Sequence, residues 1–152
     1  MDKKNKTAED ESGAKKLAIV RVRGVTGLRH GIELTLKNLR LYRKNFCVVV
    51  PGTKGYIGMI NKIKDYATWG EIDDETYNML IEKRKEEYKG EEDGEKDGNK
   101  FIIVDGVKIK KVFRLNSPRK GYGRKGVKTS FKDGGALGYR GDKINDLIKR
   151  MI

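Results

Sequence analysis

Gly121-Tyr122-Gly123-Arg124-Lys125-Gly126 has the letters of a G-x-G-x-x-G phosphate-binding turn. In a dinucleotide fold that turn joins a strand to a helix, so that helix amides meet a pyrophosphate. Here Ser117-Pro118 stands between the preceding strand-like run and the glycines, and VKTSFKDGG follows without helical period. The context favours a different use, a basic loop whose small residues lie close to a phosphate backbone. Two shorter G-x-x-G matches, Gly24 to Gly27 and Gly52 to Gly55, read as turns that each open a helix, where free amides can meet phosphate. Other chemistry is thinly provided. His30 is the one histidine, and Cys47 sits inside FCVVV, where it reads as a small buried hydrophobe. One His and one buried thiol supply neither a nucleophilic triad nor a metal site. Carboxylates are concentrated between Glu71 and Asp97 among lysines, the pattern of a solvated face, and the P-loop signature is absent. No enzymatic function is expected.

The densest chemistry is cationic. Lys108 to Lys132 holds ten Lys or Arg in 25 residues and no Asp or Glu. Such cations repel one another unless a polyanion neutralises them, and nucleic-acid phosphate is the common one. Phe113, Gly121, Tyr122, Gly123, Gly126 and Phe131 are interleaved with the charges. Glycine lets a phosphate chain approach, and an aromatic ring can stack on an unpaired base. The competing reading is a solvated basic loop beside an acidic protein.

The totals frame this segment. A chain of 152 residues fits one domain with small extensions. Lys15 to Lys64 carries +11, Glu71 to Gly98 carries −7 and Lys108 to Lys132 carries +10, within a net charge of +13. The electrostatic surface is therefore expected to be sided. With 36% hydrophobic and 38% charged residues, the core must be small and much of the chain must lie at a surface. No apolar run reaches the ~20 residues of a membrane span. MDKKNKTAEDESGAKK lacks a signal-peptide core, and a single Cys forms no internal disulfide, which fits a cytosolic protein.

The elements that must position the cations follow from periodicity. Residues 1–15 read as a polar tail. Leu17 to Arg23 is a strand in which Arg21 and Arg23 alternate against Val20 and Val22; Ile32 to Tyr42 is a helix with apolar positions 32, 36, 39 and 42. FCVVV is a second strand, a second helix turns Ile57, Ile60 and Ile63 inward, and YATWGEI is a third strand, in which Trp69 is expected to pack. Two helices are thus predicted over one face of a small three-stranded sheet, an α+β sandwich. Beyond residues 16–72, Asp73 caps a helix with a stripe of Tyr77, Leu80, Ile81, Arg84 and Tyr88. GEEDGEKDGNK is an acidic loop, and Asp105-Gly106 joins Phe101–Val104 to Val107–Phe113 as a two-residue hairpin. The basic loop hangs from that hairpin, and Asp142 caps a last helix bearing Ile144, Leu147, Ile148 and Met151 on one face.

Three stretches carry a family resemblance: LAIVRVRG, FCVVVPGTKGYIGMINKIKDYATWGEID and FRLNSPRKGYGRKGVKTSFKDGGALGYRGDKINDLIKRMI. From Leu17 onward the chain resembles the large-subunit ribosomal protein family numbered thirty in bacteria and archaea and seven in eukaryotes, and its long C-terminal half looks like the archaeal type. The resemblance implies a ferredoxin-like-related β-α-β-α-β core over 16–72 with an antiparallel three-stranded sheet, followed by a C-terminal extension over 73–152. It implies a structural, non-catalytic place in the large subunit, bound to its ribosomal RNA beside other ribosomal proteins in the cytoplasm. The family usually has proline where Ser117 stands, and no role carries across Gly90 to Val107, where its members vary.

Residues and resemblance converge on RNA. Arg114, Arg119, Lys120, Arg124, Lys125 and Lys128 are expected to neutralise phosphates. Arg21, Arg23, Arg29, Arg43 and Lys54 are expected to form a second contact set on the core, and Tyr122 to stack on an extruded base. No cofactor, metal, membrane or small-molecule substrate is expected. The alternatives are a free-standing RNA-binding regulator or chaperone, and a nucleotide-dependent enzyme using the glycine-rich loop.

Overall fold

β1 (Lys16–Arg21) is buried along nearly its whole length because it is the middle strand of a sheet covered on both faces. A strand in that position must be apolar on both sides, so KLAIVR reads as a continuous run rather than an alternation. The computed structural model describes residues 15–90 and 101–152. The tail expected over 1–15, apart from its last residue, and the acidic loop beyond Gly90 lie outside the described residues.

β2 (Phe46–Pro51) and β3 (Ala67–Glu71) flank β1, both antiparallel to it. The expected sheet of three antiparallel strands is therefore its centre, not its extent. β6 (Val112–Arg114) pairs antiparallel with the outer edge of β2, and β7 (Gly138–Tyr139) pairs parallel with β3, giving five strands in a mixed sheet. The physical reason is edge protection: bare edges of β2 and β3 would leave unpaired amides, and the C-terminal half covers part of each.

Helices lie on both faces. α1 (His30–Asn38) and α2 (Lys54–Lys62) pack Leu36, Ile60 and their neighbours on Leu17, Ile19, Val48 and Val50. α3 (Asp74–Arg84) and α4 (Lys143–Met151) pack Leu80, Ile144, Leu147, Ile148 and Met151 on Ala18, Val20, Cys47 and Phe113. The four apolar positions expected on α4 are all fully buried. Trp69 packs, half-buried, against the α1–α2 layer.

Three local expectations are corrected. α1 ends at Asn38 because Arg40 adopts φ 60°, and the Leu41 amide donates to the Leu36 carbonyl (2.9 Å) while Arg40 N–H donates to Lys37 (2.9 Å). This is a Schellman ending, usually made by glycine. It buries Leu41 and leaves Tyr42 51% exposed instead of on the helical stripe. On α2 the inward positions are Tyr56, Met59, Ile60 and Ile63, while Ile57 is 43% exposed. Asp73 and Asp142 occupy the N-cap positions of α3 and α4, but neither side chain accepts a capping bond. Asn145 instead ties the two helix starts together: its Oδ1 accepts from the Asp73 amide (3.0 Å), and its Nδ2 donates to the Glu71 and Asp142 carbonyls.

β4 (Phe101–Val104) and β5 (Val107–Lys110) form the hairpin, with Asp105 at φ 51° and Gly106 at φ 77° as a type I′ turn requires. The strand-like run breaks after Lys110, and β6 then joins the main sheet. Close packing brings α4 back over β3: a Cβ on Gly70 would lie 2.1 Å from the Gly141 carbonyl oxygen. Only glycine fits at that crossing.

Candidate nucleic-acid interface

Register decides what meets the basic loop. β1 and β6 end where β2, β3 and β7 begin, since Arg21 pairs with Ala67, Phe46 with Arg114 and Thr68 with Gly138. That end of the sheet gathers residues 21–24, 40–46, 65–66 and the long connection from Leu115 to Leu137. A small apolar knot of Val22, Ala136, Leu137 and Tyr122 joins the first and last of these.

The connection is pinned at its root, tip and return. At the root, the Asn116 and Arg119 amides donate to the carbonyls of Met151 and Arg150 on the last turn of α4. Arg150 Nη1 donates back to the carbonyls of Arg119 (2.9 Å) and Gly121 (2.8 Å), and its Nε pairs with Asp146 (3.0 Å). At the tip, Lys120 at φ 65° and Gly121 at φ 73° reverse the chain. On the return, the Thr129 carbonyl accepts from the Ala136 and Leu137 amides, and Lys125 N–H reaches the Gly134 carbonyl. A Cβ on Gly135 would sit 2.2 Å from the Thr129 carbonyl oxygen, so glycine permits this close approach of the two loop segments. The G-x-G-x-x-G letters thus form part of a folded-back loop that no helix follows; the next regular element is a single turn at Phe131–Asp133.

On this frame Arg119, Lys120, Arg124, Lys125 and Lys128 are all exposed. No ion pair among the described residues reaches any of them, nor Arg23, Arg29, Arg43 or Lys54. Arg23 and Arg43 stand at the same sheet end. Arg23 lies over the Tyr66 ring (5.0 Å) with Nη1 on the Asp65 carbonyl (3.2 Å). Arg29 is the exposed N-cap of α1. Lys54 opens α2 just beyond Pro51, at the opposite end of the sheet. Arg114 ends β6 at the basic end, but Glu86 accepts a short bond from its Nε. Glu86 also pairs with Lys110 (3.0 Å). The Arg114 hydrogen bond leads the causes that hold the Glu86 carboxyl below the usual carboxylate range.

Two of the expected contact residues are engaged within the fold, Arg21 fully buried and Tyr122 partly. Arg21 is 2% exposed. Its Nε donates to the Arg23 carbonyl (2.9 Å), Nη1 to Leu41 (2.6 Å) and Tyr42 (3.1 Å), and Nη2 to Gly24 (2.8 Å). A planar fork with fixed donors suits this collection of carbonyls, and desolvation lowers its pKa. Tyr122 is partly buried, packs its ring against two apolar clusters and donates its phenol to Asn45 Oδ1, which leaves less of the ring free for a base than its place amid the cations suggests. Burial pushes that phenol up to about 12. The Cys47 thiol, fully buried in the α3–α4 layer, is also pushed up to about 12 and is inert at neutral pH.

Three positioning residues escape a sequence reading. Asn45, at φ 67°, accepts from Tyr122, donates Nδ2 to Ser117 (3.3 Å) and offers its carbonyl to Leu115 N–H (3.2 Å). Arg140 is buried with no ion pair among the described residues: it donates to Thr68 Oγ1 (2.8 Å) and to the Tyr122 and Ala136 carbonyls, and covers the Phe131 ring at 4.5 Å. Desolvation lowers its pKa to about 10. Arg150 is the third. Their only sequence signal is that Arg140 sits between two glycines in GYRG.

The far end of the sheet has the opposite character. Glu71, Asp73, Asp74 and Asp142 surround one open cleft with Lys15 and Lys16. A six-residue strand spans about 20 Å, so charge of opposite sign is separated along the strands. Among the described residues no cluster of His, Cys, Asp or Glu is arranged to hold a metal, and no helix is long and apolar enough to cross a membrane.

Comparison with known proteins gives the family of the chain. Residues 17–67, β1 to the start of β3, match the family model described as ribosomal protein L30p/L7e. Large ribosomal subunit protein uL30 of Methanococcus maripaludis is 50% identical over 151 residues, covering 89% of this chain and 98% of that protein. The uL30 proteins of Nanoarchaeum equitans and Methanopyrus kandleri are 48% and 42% identical, over 97% and 100% of their lengths. These relatives match most of the chain over nearly their whole lengths, so the chain belongs to the L30p/L7e family of ribosomal proteins, in its long archaeal form, and is a structural rather than catalytic protein.

Proposed function

We propose that this chain binds and stabilises the folded RNA of the large ribosomal subunit, with the basic end of its sheet against the phosphates. One observation carries the reading: Arg119, Lys120, Arg124, Lys125 and Lys128, exposed and in no ion pair among the described residues, are held by a backbone-bonded loop at the same sheet end as Arg23 and Arg43. Cations fixed before binding lose little entropy on meeting phosphate. Folded RNA brings phosphates together, and a rigid cationic ridge relieves their repulsion.

The other expected contacts take different roles. Arg21 positions the 23–24 and 41–42 segments, and Tyr122 anchors the loop. Arg114 reaches RNA only by exchanging Glu86 for phosphate. Arg29 and Lys54 are peripheral contacts, Lys54 on a separate RNA segment or none. Residues 16–72 and the extension 73–152 act as one body, because strands from both halves share a sheet. The acidic end suits a basic neighbour, of which other ribosomal proteins in the cytoplasmic ribosome are the natural source.

The test is salt dependence. Replacing Arg119, Lys120, Arg124 and Lys125 together by Ala should weaken binding to large-subunit RNA and lower the log–log salt slope by about 3, at 0.7–0.9 per lost phosphate contact. An unchanged slope removes the loop from the interface. Selective binding to RNAs outside the ribosome, with no incorporation into subunits, would favour the free-standing regulator.

A further inference from the structure

Most aromatic rings near the basic end are already engaged. Tyr122 is partly buried with its phenol tied to Asn45, Phe46 belongs to the α1–α2 layer, Tyr66 lies under Arg23, and Phe131 carries Arg140 at 4.5 Å and Lys143 at 5.5 Å. Tyr139, although exposed, is tied through its hydroxyl to the Glu71 carboxylate beside the acidic cleft. Tyr42 is different. It is 51% exposed, its phenol makes no hydrogen bond among the described residues, and Arg43 and Lys44 follow it directly.

Tyr42 is also built into place. The Schellman ending of α1 turns Leu41 inward and Tyr42 outward. Arg21 Nη1 holds the Tyr42 carbonyl (3.1 Å) while its Nη2 holds the Gly24 carbonyl (2.8 Å), so one guanidinium ties the two rims. Between the rims lies a recess of about 60 Å³ lined by Val25, Leu28, Leu36, Leu41 and Tyr42 over Arg21, with the Glu33–Lys37 pair at its edge. Val25, on the facing rim, is 60% exposed.

We propose that Tyr42 is the base-stacking platform of the RNA interface, taking one unpaired nucleobase on its ring with an edge of that base over the Val25–Leu28 recess. The recess is too small for a whole base, so the ring covers one face and the aliphatic rim touches only an edge. Arg21 is 2% exposed and has four of its five N–H donors on carbonyls, so it reads nothing. Recognition is therefore by stacking, tolerant of base identity, with Arg43 and Lys44 placed for the flanking phosphates. The platform rests on the RNA-binding reading above and adds a residue-level contact to it.

The experiment measures binding of the full chain to a large-subunit RNA transcript at several salt concentrations, with 4-thiouridine incorporated for cross-linking. Tyr42→Ala and Tyr42→Leu should both weaken binding by about 5- to 150-fold, the effect typical of losing one base–aromatic stack. Tyr42→Phe should bind as the unaltered chain does. The salt slope should be the same in all, and the cross-linked peptide should contain Tyr42. Unchanged affinity in the Ala and Leu variants overturns the platform. So does a loss that comes with a smaller slope, because Tyr42 would then merely position Arg43. If the four-site loop variant leaves the slope unchanged while Tyr42→Ala weakens binding, the loop reading fails and the platform survives. Since Tyr42 is half exposed, the variants should melt within a few degrees of the unaltered chain; the Leu variant keeps the apolar bulk should Ala loosen the recess.

Discussion

The Tyr122 phenol donates to the Asn45 side chain across 77 residues, tying the basic loop to the start of β2. This bond fixes the loop by a group that carries no charge. Tyr122→Phe should cost about 1 kcal/mol of stability, the usual net worth of such a bond, with no change in the salt slope for RNA. A pH test follows. Burial raises the phenol from about 10 to about 12, so the neutral form is favoured when folded. That contribution is intact below pH 10 and is lost as pH rises through 12. Denaturation midpoints across that range should fall more steeply for the unaltered chain than for Tyr122→Phe.

Glu86 gives the acid counterpart. With Arg114 and Lys110 bound to it, its folded carboxyl lies below the usual range. Its contribution is present above the unfolded carboxylate value and is lost as pH falls through the folded one. Glu86→Gln should remove that part of the acid sensitivity. It should also free Arg114, so RNA binding by the variant should tighten and its salt slope should rise by up to about one phosphate contact. Equal slopes would place Arg114 outside the interface.

Arg21 is the test of position against contact. Arg21→Met removes the donors of four carbonyls at the heart of the basic end. Unsatisfied buried acceptors cost about 1–3 kcal/mol each, less whatever water recovers, so a loss of at least about 2 kcal/mol is expected in chemical denaturation. Arg21→Lys should not restore it, since a point charge cannot span those carbonyls. RNA affinity should fall only as far as the fold loosens, with the salt slope kept.

Two glycines should respond oppositely to Ala. At Gly70 the added carbon meets the Gly141 carbonyl oxygen at 2.1 Å, and at Gly58, inside α2, it meets nothing within 4 Å. Gly70→Ala should destabilise by about 1–3 kcal/mol or more, because β3 and the root of α4 must separate. Gly58→Ala should stabilise by about 0.5–1 kcal/mol, since only helix propensity changes. Thermal or urea denaturation of both variants decides the point.

Much of the frame was legible. Alternation and helical spacing located the three central strands and four helices, and Asp105-Gly106 announced its hairpin. The losses have physical causes. Arg21 and Arg23 alternate with valines as solvent-facing residues would, yet β1 is covered on both faces and Arg21 turns inward to carbonyls that only the fold assembles. On α2, Met59 can share a face with Ile60 and Ile63 just as Ile57 can, so spacing alone did not choose the face. β7, two residues beginning with glycine, has no pattern to read, and with it the parallel edge was hidden. Arg40 takes a left-handed φ that sequences usually mark with glycine, so α1 seemed longer and Tyr42 seemed internal. The basic loop was visible as charge, but the packing of its aromatic was not: Tyr122 lies amid the cations in sequence, while its ring is partly buried against two apolar clusters and its phenol is tied to Asn45.

The most direct test of the central claim is directed RNA cleavage from single cysteines. Cys47 is buried and its thiol held near pKa 12, so an iron chelate will label only a surface thiol introduced by Arg124→Cys or, at the acidic end, by Asp74→Cys. After incorporation into large subunits, hydroxyl radicals from position 124 should cut nearby ribosomal RNA strongly, and those from position 74 weakly or not at all. Strong cutting from position 74 with none from position 124 would contradict the account, because it would put the acidic end of the sheet against the RNA.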